Sequence, residues 1–221
     1  MTDKRITDNI HRIRTSLPER VQLLCVSKYH TVDDILQAYE AGERDFGESR
    51  VQELLQKAAC LPQDIRWHFI GHLQTNKIKQ VLPLATLIHG IDSLHLAEAV
   101  SRTAEKQVSV LLEVHIAQEP SKYGFSPDEL RRLFREGTLQ QLTHLRLCGL
   151  MGMASLTDDT EQIRREFCSL RLLFDEIKRD FLPHSADWQT LSMGMSDDWQ
   201  TAVQEGSTLV RLGTSIFGER Q

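Results

Sequence analysis

The sequence predicts an α/β fold in which eight parallel strands close into a TIM-like (β/α)8 barrel. Short apolar segments alternate with longer amphipathic segments along the 221 residues, and this alternation is typical of parallel strands joined by crossover helices. About eight strand–helix pairs follow one another without a linker or a low-complexity segment. Eight units favour a closed barrel, although such barrels typically have about 250 residues. A doubly wound open sheet is the alternative, disfavoured because no G-x-G-x-x-G follows the first strand.

The strands are assigned to short apolar segments bounded by polar or turn residues. The clearest is VSVLLEVHIA, which is rich in β-branched residues. In chain order, the predicted strands cover 21–28, 44–47, 66–70, 86–91, 108–117, 145–151, 188–193 and 209–212.

The helices are assigned to segments with apolar residues at helical spacing. A helix over 3–17 precedes the first strand and is therefore additional to the barrel repeat. Thr31 and Ser93 are predicted N-caps, and Ser126 precedes a proline and two acidic residues that are typical of a first helical turn. The other helices are predicted over 31–41, 51–61, 76–85, 93–106, 160–181 and 196–205, with one more beginning after Ser126.

Composition narrows the classes of function and location. Hydrophobic residues make up 40% and charged residues 26% of the chain, and the net charge is −5. This balance does not favour nucleic acid or an anionic membrane as a partner. No apolar run reaches the roughly 18 residues of a membrane helix, and the charged N-terminus does not resemble a signal peptide. None of the four cysteines forms a C-x-x-C pair, so no metal site is expected. We expect a cytoplasmic protein.

Lys28 is a candidate nucleophile at the end of the first strand. In a barrel, functional residues gather at the carboxyl ends of the strands. A lysine that faces the interior there is partly desolvated, which lowers the pKa of its amine and favours attack on a carbonyl group. Taken alone, Lys28 would more simply be a surface lysine at a strand end.

Two neighbouring loops favour a functional role for Lys28 over a surface lysine. The segment from Ser192 to Ser196 and the pair Gly213-Thr214 follow the seventh and eighth strands, whose loops often bind phosphate in such barrels. Glycine allows backbone N–H groups to approach an anion, and hydroxyl groups add donors. A lone glycine is more often a turn residue, but two such loops on adjacent strands are more specific.

Arg211 lies two residues before Gly213 and points to the same side of its strand. A buried guanidinium needs an acceptor, which is either a strand-end acid such as Glu48 or a ring nitrogen or phosphate of a ligand. His68 is expected to pack or hydrogen-bond within the third strand, and His72 could line the barrel mouth. These residues indicate a lysine beside a phosphate site without naming the ligand.

The chain resembles the YggS/PROSC family of pyridoxal phosphate homeostasis proteins. The matching segments follow the family order and span nearly the whole chain. They are VSKYHTVDDI at 26–35, FGESRVQE at 46–53, WHFIGHLQTNK at 67–77, SKYGF at 121–125, LCGLMGM at 147–153 and LSMGMSDDWQTAVQEGSTLVRLGTSIFG at 191–218.

The resemblance implies the barrel of the alanine racemase N-terminal domain, formed by residues 1–221 as a single domain that binds pyridoxal 5'-phosphate (PLP). It implies that Lys28 forms the internal aldimine and that Arg211 faces the pyridine nitrogen. It also implies phosphate contacts from Ser192, Gly213 and Thr214. The family often has asparagine where this chain has Ser49, so a shorter side chain stands at one direct cofactor contact, where water could substitute.

The resemblance implies a PLP carrier or regulator that supplies or buffers PLP for other enzymes, with PLP-dependent apoenzymes as partners. A PLP-dependent amino-acid racemase is the alternative. The permanently charged Arg211 favours the carrier, because it would keep the pyridine nitrogen unprotonated and weaken the electron sink. Racemases of the related fold manage with such an arginine, but they add a second domain and a tyrosine acid/base from the partner subunit, whereas this sequence has only a short tail after the eighth strand. We therefore expect an open mouth, a non-enzyme and a monomer. A Schiff-base aldolase acting on a phosphosugar through Lys28 is the third possibility, and the resemblance disfavours it.

Overall fold

The eight strands form one closed parallel barrel in the computed structural model, which describes residues 5–119 and 123–219. Each strand pairs with the next, and the last pairs with the first. The predicted barrel is thereby confirmed, and the open sheet is excluded. The strands are β1 (Gln22–Val26), β2 (Asp45–Glu48), β3 (Arg66–Phe69), β4 (Ala85–Ile91), β5 (Val108–Val114), β6 (Leu145–Gly152), β7 (Thr190–Ser192) and β8 (Leu209–Leu212).

The helices alternate with the strands, and one helix precedes β1 as predicted. Thr31, Ser93 and Ser126 cap their helices through side-chain oxygens. The helices are α1 (Arg5–Ser16), α2 (Val32–Glu40), α3 (Val51–Cys60), α4 (Ile78–Val81), α5 (Leu94–Thr103), α6 (Pro127–Arg135), α7 (Thr160–Asp180), α8 (Trp199–Gln204) and α9 (Thr214–Phe217).

Three elements differ from the sequence prediction. The helix predicted over 76–85 is a 3-10 turn (Thr75–Lys77) followed by α4, which ends early because Pro83 has no N–H to continue the helical hydrogen bonds. β7 is shorter than predicted, and Trp188, outside the strand, packs against Phe174 and donates its indole N–H to the Phe174 carbonyl. Thr214 begins a one-turn helix that the pattern did not predict.

The main apolar core lies between the barrel and the surrounding helices. Residues on the outer side of the strands, such as Ile88 and Leu112, belong to it. The alternate residues Leu87 and Leu111 form a separate small cluster with Met151. Because side chains alternate across a strand, this second cluster lies inside the barrel. Other inward positions can therefore carry polar side chains.

α1 packs against α9, the short helix that follows β8. Its residues Ile6, Ile10 and Ile13 are buried along one face, at the spacing that an amphipathic helix uses to bury a stripe. Asn9 Nδ2 donates to the carbonyl of Ile216 at 2.9 Å. The first helix of the chain therefore supports the loop that follows β8.

Within the described part of the chain, no helix combines the length and the hydropathy needed to cross a membrane.

Candidate functional site

Arg211 is a buried guanidinium on β8, held by groups at the ends of β7 and β6. Its Nη1 donates to the Ser192 carbonyl at 2.8 Å and to Ser192 Oγ at 2.7 Å, and its Nη2 donates to the Gly152 carbonyl at 3.1 Å. Burial lowers the pKa of Arg211 to about 10, against the opposing effects of Asp198 and Glu113. Glu48, the acid considered from the sequence, pairs with Lys57 instead. Arg211 is thus fixed in place and remains charged at neutral pH.

Arg211 stands at one end of a row of polar side chains that crosses the barrel interior. Ser192 Oγ lies 3.2 Å from His89 Nδ1, and His89 Nε2 lies 2.9 Å from His68 Nδ1. His68 Nε2 lies 3.3 Å from Asp45 Oδ1. We call Asp45, His68, His89, Ser192 and Arg211 the inner string.

The inner string has a direction. Arginine can only donate and an ionised aspartate can only accept. When both imidazoles are neutral, one proton assignment therefore satisfies every contact: each group donates to the next, from Arg211 toward Asp45. Burial, together with the charges of His68 and Arg211, holds the pKa of His89 well below its ordinary value. Burial would raise the pKa of Asp45, but hydrogen bonds from Arg66 and His68 outweigh it and hold that pKa well below its usual range.

The loops after β7 and β8 meet at Ser196. Its Oγ accepts from the backbone N–H of Gly213 at 3.4 Å and of Ser215 at 3.2 Å. Gly194, at φ +96°, turns the first loop, and a Cβ there would approach Ala202 Cβ to 2.6 Å. At Gly213, by contrast, a Cβ would make only ordinary contacts with Val26. Packing within the chain therefore does not require glycine at 213, whereas the close approach of a ligand would.

The register of the barrel places Lys28 between these loops and Ser49. Val26 pairs with Gly47 and Leu24 pairs with Arg211, so Lys28 follows β1 at the same end of the barrel at which Ser49 follows β2 and Gly213 follows β8. Lys28 and Ser49 are both half-buried. The predicted residues of β1, β2 and β8 therefore do converge at the carboxyl ends of neighbouring strands.

The other side of the mouth carries aromatic and acidic groups. His72 Nδ1 lies 2.7 Å from Asp92 Oδ2, and its ring stacks on Tyr123 with 4.7 Å between centroids. Ser121 and Lys122, from the same motif as Tyr123, lie outside the described residues. At the end of β5, burial and the nearby Asp92 raise the pKa of Glu113 to about 7, although Arg211 acts in the opposite direction.

The family model described as the alanine racemase N-terminal domain matches residues 2–221. The chain belongs to this family. The pyridoxal phosphate homeostasis protein of Aquifex aeolicus is 41% identical over 207 residues, which cover 90% of this chain and 87% of that protein. The membership predicted from the six motifs is therefore confirmed.

Solved structures show the same fold. PipY of Synechococcus elongatus, in a structure with PLP bound, is 37% identical to this family member, with a TM-score of 0.87 over 96% of this chain and all of that one. The alanine racemase of E. faecalis is 16% identical, with a TM-score of 0.77 over 98% of this chain and 58% of that one. The second similarity supports the fold alone.

The structure separates two serines that the sequence treated together. Ser192 Oγ is fully buried against Arg211 and His89, whereas Ser196 is half-exposed beside the Gly213 amide. Strand alternation explains the difference, since Ser192 is an inward residue of β7 and Ser196 follows the Gly194 turn. Sequence reasoning named Ser196 within this loop but did not select it. His89 was missed because its role depends on contacts with distant strands.

Proposed function

We propose that this family member binds PLP in the barrel mouth, holds it as a Schiff base on Lys28, and supplies or buffers it for PLP-dependent apoenzymes in intracellular vitamin B6 homeostasis. One observation carries the proposal: Gly213, the charged Arg211 and Lys28 lie at or just beyond the carboxyl ends of the adjacent strands β8 and β1. The homeostasis relatives and the PLP-bound PipY support it.

The residues at the phosphate end fit a dianion. Backbone N–H groups and hydroxyl groups are suitable donors to phosphate. Thr214 is exposed at the mouth, and the neighbouring Gly213 N–H is engaged only by the long bond of 3.4 Å to Ser196 Oγ. Ser192 Oγ is already engaged by Arg211 and His89. We therefore assign the phosphate contact of the β7 loop to Ser196, and we assign Ser192 to holding Arg211. The Ser49 hydroxyl is proposed to reach the cofactor from β2.

The residues at the ring end favour a carrier. Arg211 stays charged, so as a donor to the pyridine nitrogen it would keep that nitrogen unprotonated and limit the electron-sink chemistry that PLP supplies when bound. A carrier needs only a nucleophilic amine and a phosphate site. The racemase alternative has less support, because the relative at 41% identity is named a homeostasis protein and the alanine racemase at 16% identity supports the fold alone.

An absorbance spectrum tests covalent binding. A Schiff base of PLP absorbs near ~420 nm, and borohydride removes that band by reducing the imine. We expect the band in the wild type and its loss in Lys28→Ala. Lys77→Ala, which changes a lysine elsewhere at the mouth, is the matched control and should keep the band. A wild type without the band after PLP addition would refute the proposed linkage.

A transfer assay separates the carrier from the racemase. The loaded protein is mixed with the apo form of a PLP-dependent enzyme, and the recovery of that enzyme is followed beside a test for racemisation of alanine. We expect the apoenzyme to recover and the chirality of alanine to persist. Sustained racemisation by the purified protein would instead support the alternative.

A further inference from the structure

A buried lysine joins α3 to the end of β1, directly beside Lys28. Lys57 Nζ donates to Glu48 Oε1 at 2.8 Å and to Glu53 Oε2 at 2.9 Å. It also donates to the Ser27 carbonyl at 2.8 Å. We call Ser27, Glu48, Glu53 and Lys57 the outer network, because it lies between the barrel wall and α3.

The outer network holds the chain on both sides of Lys28. Before it, Ser27 Oγ donates to Glu48 Oε1 at 2.6 Å, in addition to the bond that the Ser27 carbonyl accepts from Lys57. After it, the backbone N–H of Tyr29 donates to Glu53 Oε2 at 2.8 Å. The residues that precede and follow Lys28 are thus tied to one charged cluster.

Tyr29 adopts a backbone conformation that needs such support. Its φ is +69°, and no other non-glycine residue in the described ranges has a positive φ. This region is unfavourable for a bulky side chain, and it persists where the surrounding contacts determine it. The bond from Tyr29 N–H to Glu53 is one such contact, and it fixes the turn through which the chain leaves Lys28.

The outer network is not an efficient way to stabilise the fold. Lys57 is 7% exposed and Glu48 is fully buried, and Glu48 Oε2 has no hydrogen-bond partner among the described residues. Removing two charges from water costs much of what their attraction returns, so apolar residues of similar volume often serve stability as well. Burial raises the pKa of Glu48, against the bonds from Lys57 and Ser27. The contacts to Ser27 and Tyr29 give the cluster a different use.

We propose that Glu53, Lys57 and Glu48 are positioning residues that fix the backbone on both sides of Lys28 and so aim its amine at the aldehyde of PLP. The inference rests on the proposed function. In the step concerned, the neutral Lys28 amine would add to the aldehyde carbon, the carbon–oxygen bond would break as the carbon–nitrogen double bond forms, and the oxygen would leave as water with the two amine protons. Holding the amine near the carbonyl raises the rate by removing orientational freedom.

The experiment compares PLP with pyridoxine 5'-phosphate, which has an alcohol in place of the aldehyde and cannot form an imine. In Glu53→Ala, we expect imine formation with PLP to slow by about 10- to 100-fold, the range that misplacement of a reacting group produces. The affinity for pyridoxine 5'-phosphate should remain within about twofold, since the phosphate and ring contacts persist. Glu53→Gln keeps an acceptor for the Tyr29 N–H and should recover most of the rate.

Two further variants serve as controls for folding and for specificity. Ser27→Ala removes one hydroxyl and no charge, so it should fold even where Glu53→Ala does not, and it should slow imine formation by about threefold. Glu176→Ala breaks an ion pair with Arg131 between α6 and α7 and should leave both ligands unaffected. Wild-type imine formation in both Glu53→Ala and Ser27→Ala would overturn the inference. An equal loss of both ligands in Glu53→Ala and Ser27→Ala would also overturn it, as a purely structural effect.

The proposed function fails in a distinguishable way. If Lys28→Ala still forms the imine band, the linkage itself is wrong whatever Glu53 does. If the band depends on Lys28 and is indifferent to the outer network, only the positioning role is wrong.

Discussion

The inner string and the outer network both end on a group proposed to meet the cofactor, but they are built differently. The inner string draws its members from five strands and leads from Asp45 through two imidazoles and a hydroxyl group to Arg211. The outer network pairs a lysine with two glutamates that lie close to it along the chain. The inner string occupies part of the barrel interior in place of apolar side chains. The outer network lies outside the barrel, between its strands and α3. We infer that changes inside the barrel alter stability and ligand binding together, and that changes in the outer network alter mainly the reactivity of Lys28.

Glu113→Gln should give the largest change in stability. It would sharpen this contrast, because Glu113 faces Arg211 at the end of the inner string. Its pKa is raised to about 7 from 4.5, so the native state binds the proton more tightly than the unfolded state. The resulting loss of stability is absent below pH 4.5, grows up to about pH 7 and is constant above it. Removing the charge should therefore raise the free energy of unfolding by about 3 kcal/mol above pH 7.

Urea unfolding of Glu113→Gln and the wild type at pH 4 and pH 8 tests this prediction. The two proteins should differ at pH 8 and coincide at pH 4. A constant difference at both values would show that Glu113 does not titrate as its burial implies.

His89→Phe should break the inner string in the middle. The Ser192 hydroxyl loses its acceptor and His68 loses its donor, both in the buried interior. Leaving buried polar groups unsatisfied costs about 2 kcal/mol here. Denaturant unfolding measures the change, with the same substitution at the exposed His184 as the control, expected within about 0.5 kcal/mol. Equal stability of the two variants would argue against a continuous inner string.

Arg211→Met should give a smaller but diagnostic effect on the ligand. Without a permanent charge beside it, the pyridine nitrogen can take up a proton, and the affinity for pyridoxine 5'-phosphate should fall by about 10-fold with the loss of one charge-assisted bond. Titration of the ligand absorbance against pH follows the protonation. An unchanged profile and affinity would place Arg211 away from the ring.

Sequence reasoning reached the barrel because local signals agree along the chain. Alternating apolar segments located the eight strands, and Thr31, Ser93 and Ser126 marked helix starts that the structure confirms. The helix over 76–85 was wrong in extent, because Pro83 lacks the N–H that a longer helix would need.

The candidate site was predictable where it depends on strand ends. Lys28, Ser49, Gly213 and Thr214 follow strands whose carboxyl ends must converge in a barrel, so their proximity follows from the fold. The spacing of Glu53 and Lys57 is also visible, as an i, i+4 pair on a helix.

The inner string was not predictable in this way. Asp45, His68 and His89 lie on three strands with no shared spacing, and only the register of the closed barrel aligns them. The choice between Ser192 and Ser196 likewise depends on where β7 ends, which the sequence pattern placed a residue too late.

The most direct test of the central claim is to locate the covalent cofactor. The wild-type protein is loaded with PLP, reduced with borohydride, digested and sequenced by mass spectrometry. The account predicts a single modified peptide with the reduced cofactor on Lys28. Modification of another lysine, such as Lys77, with Lys28 left unmodified, would contradict it.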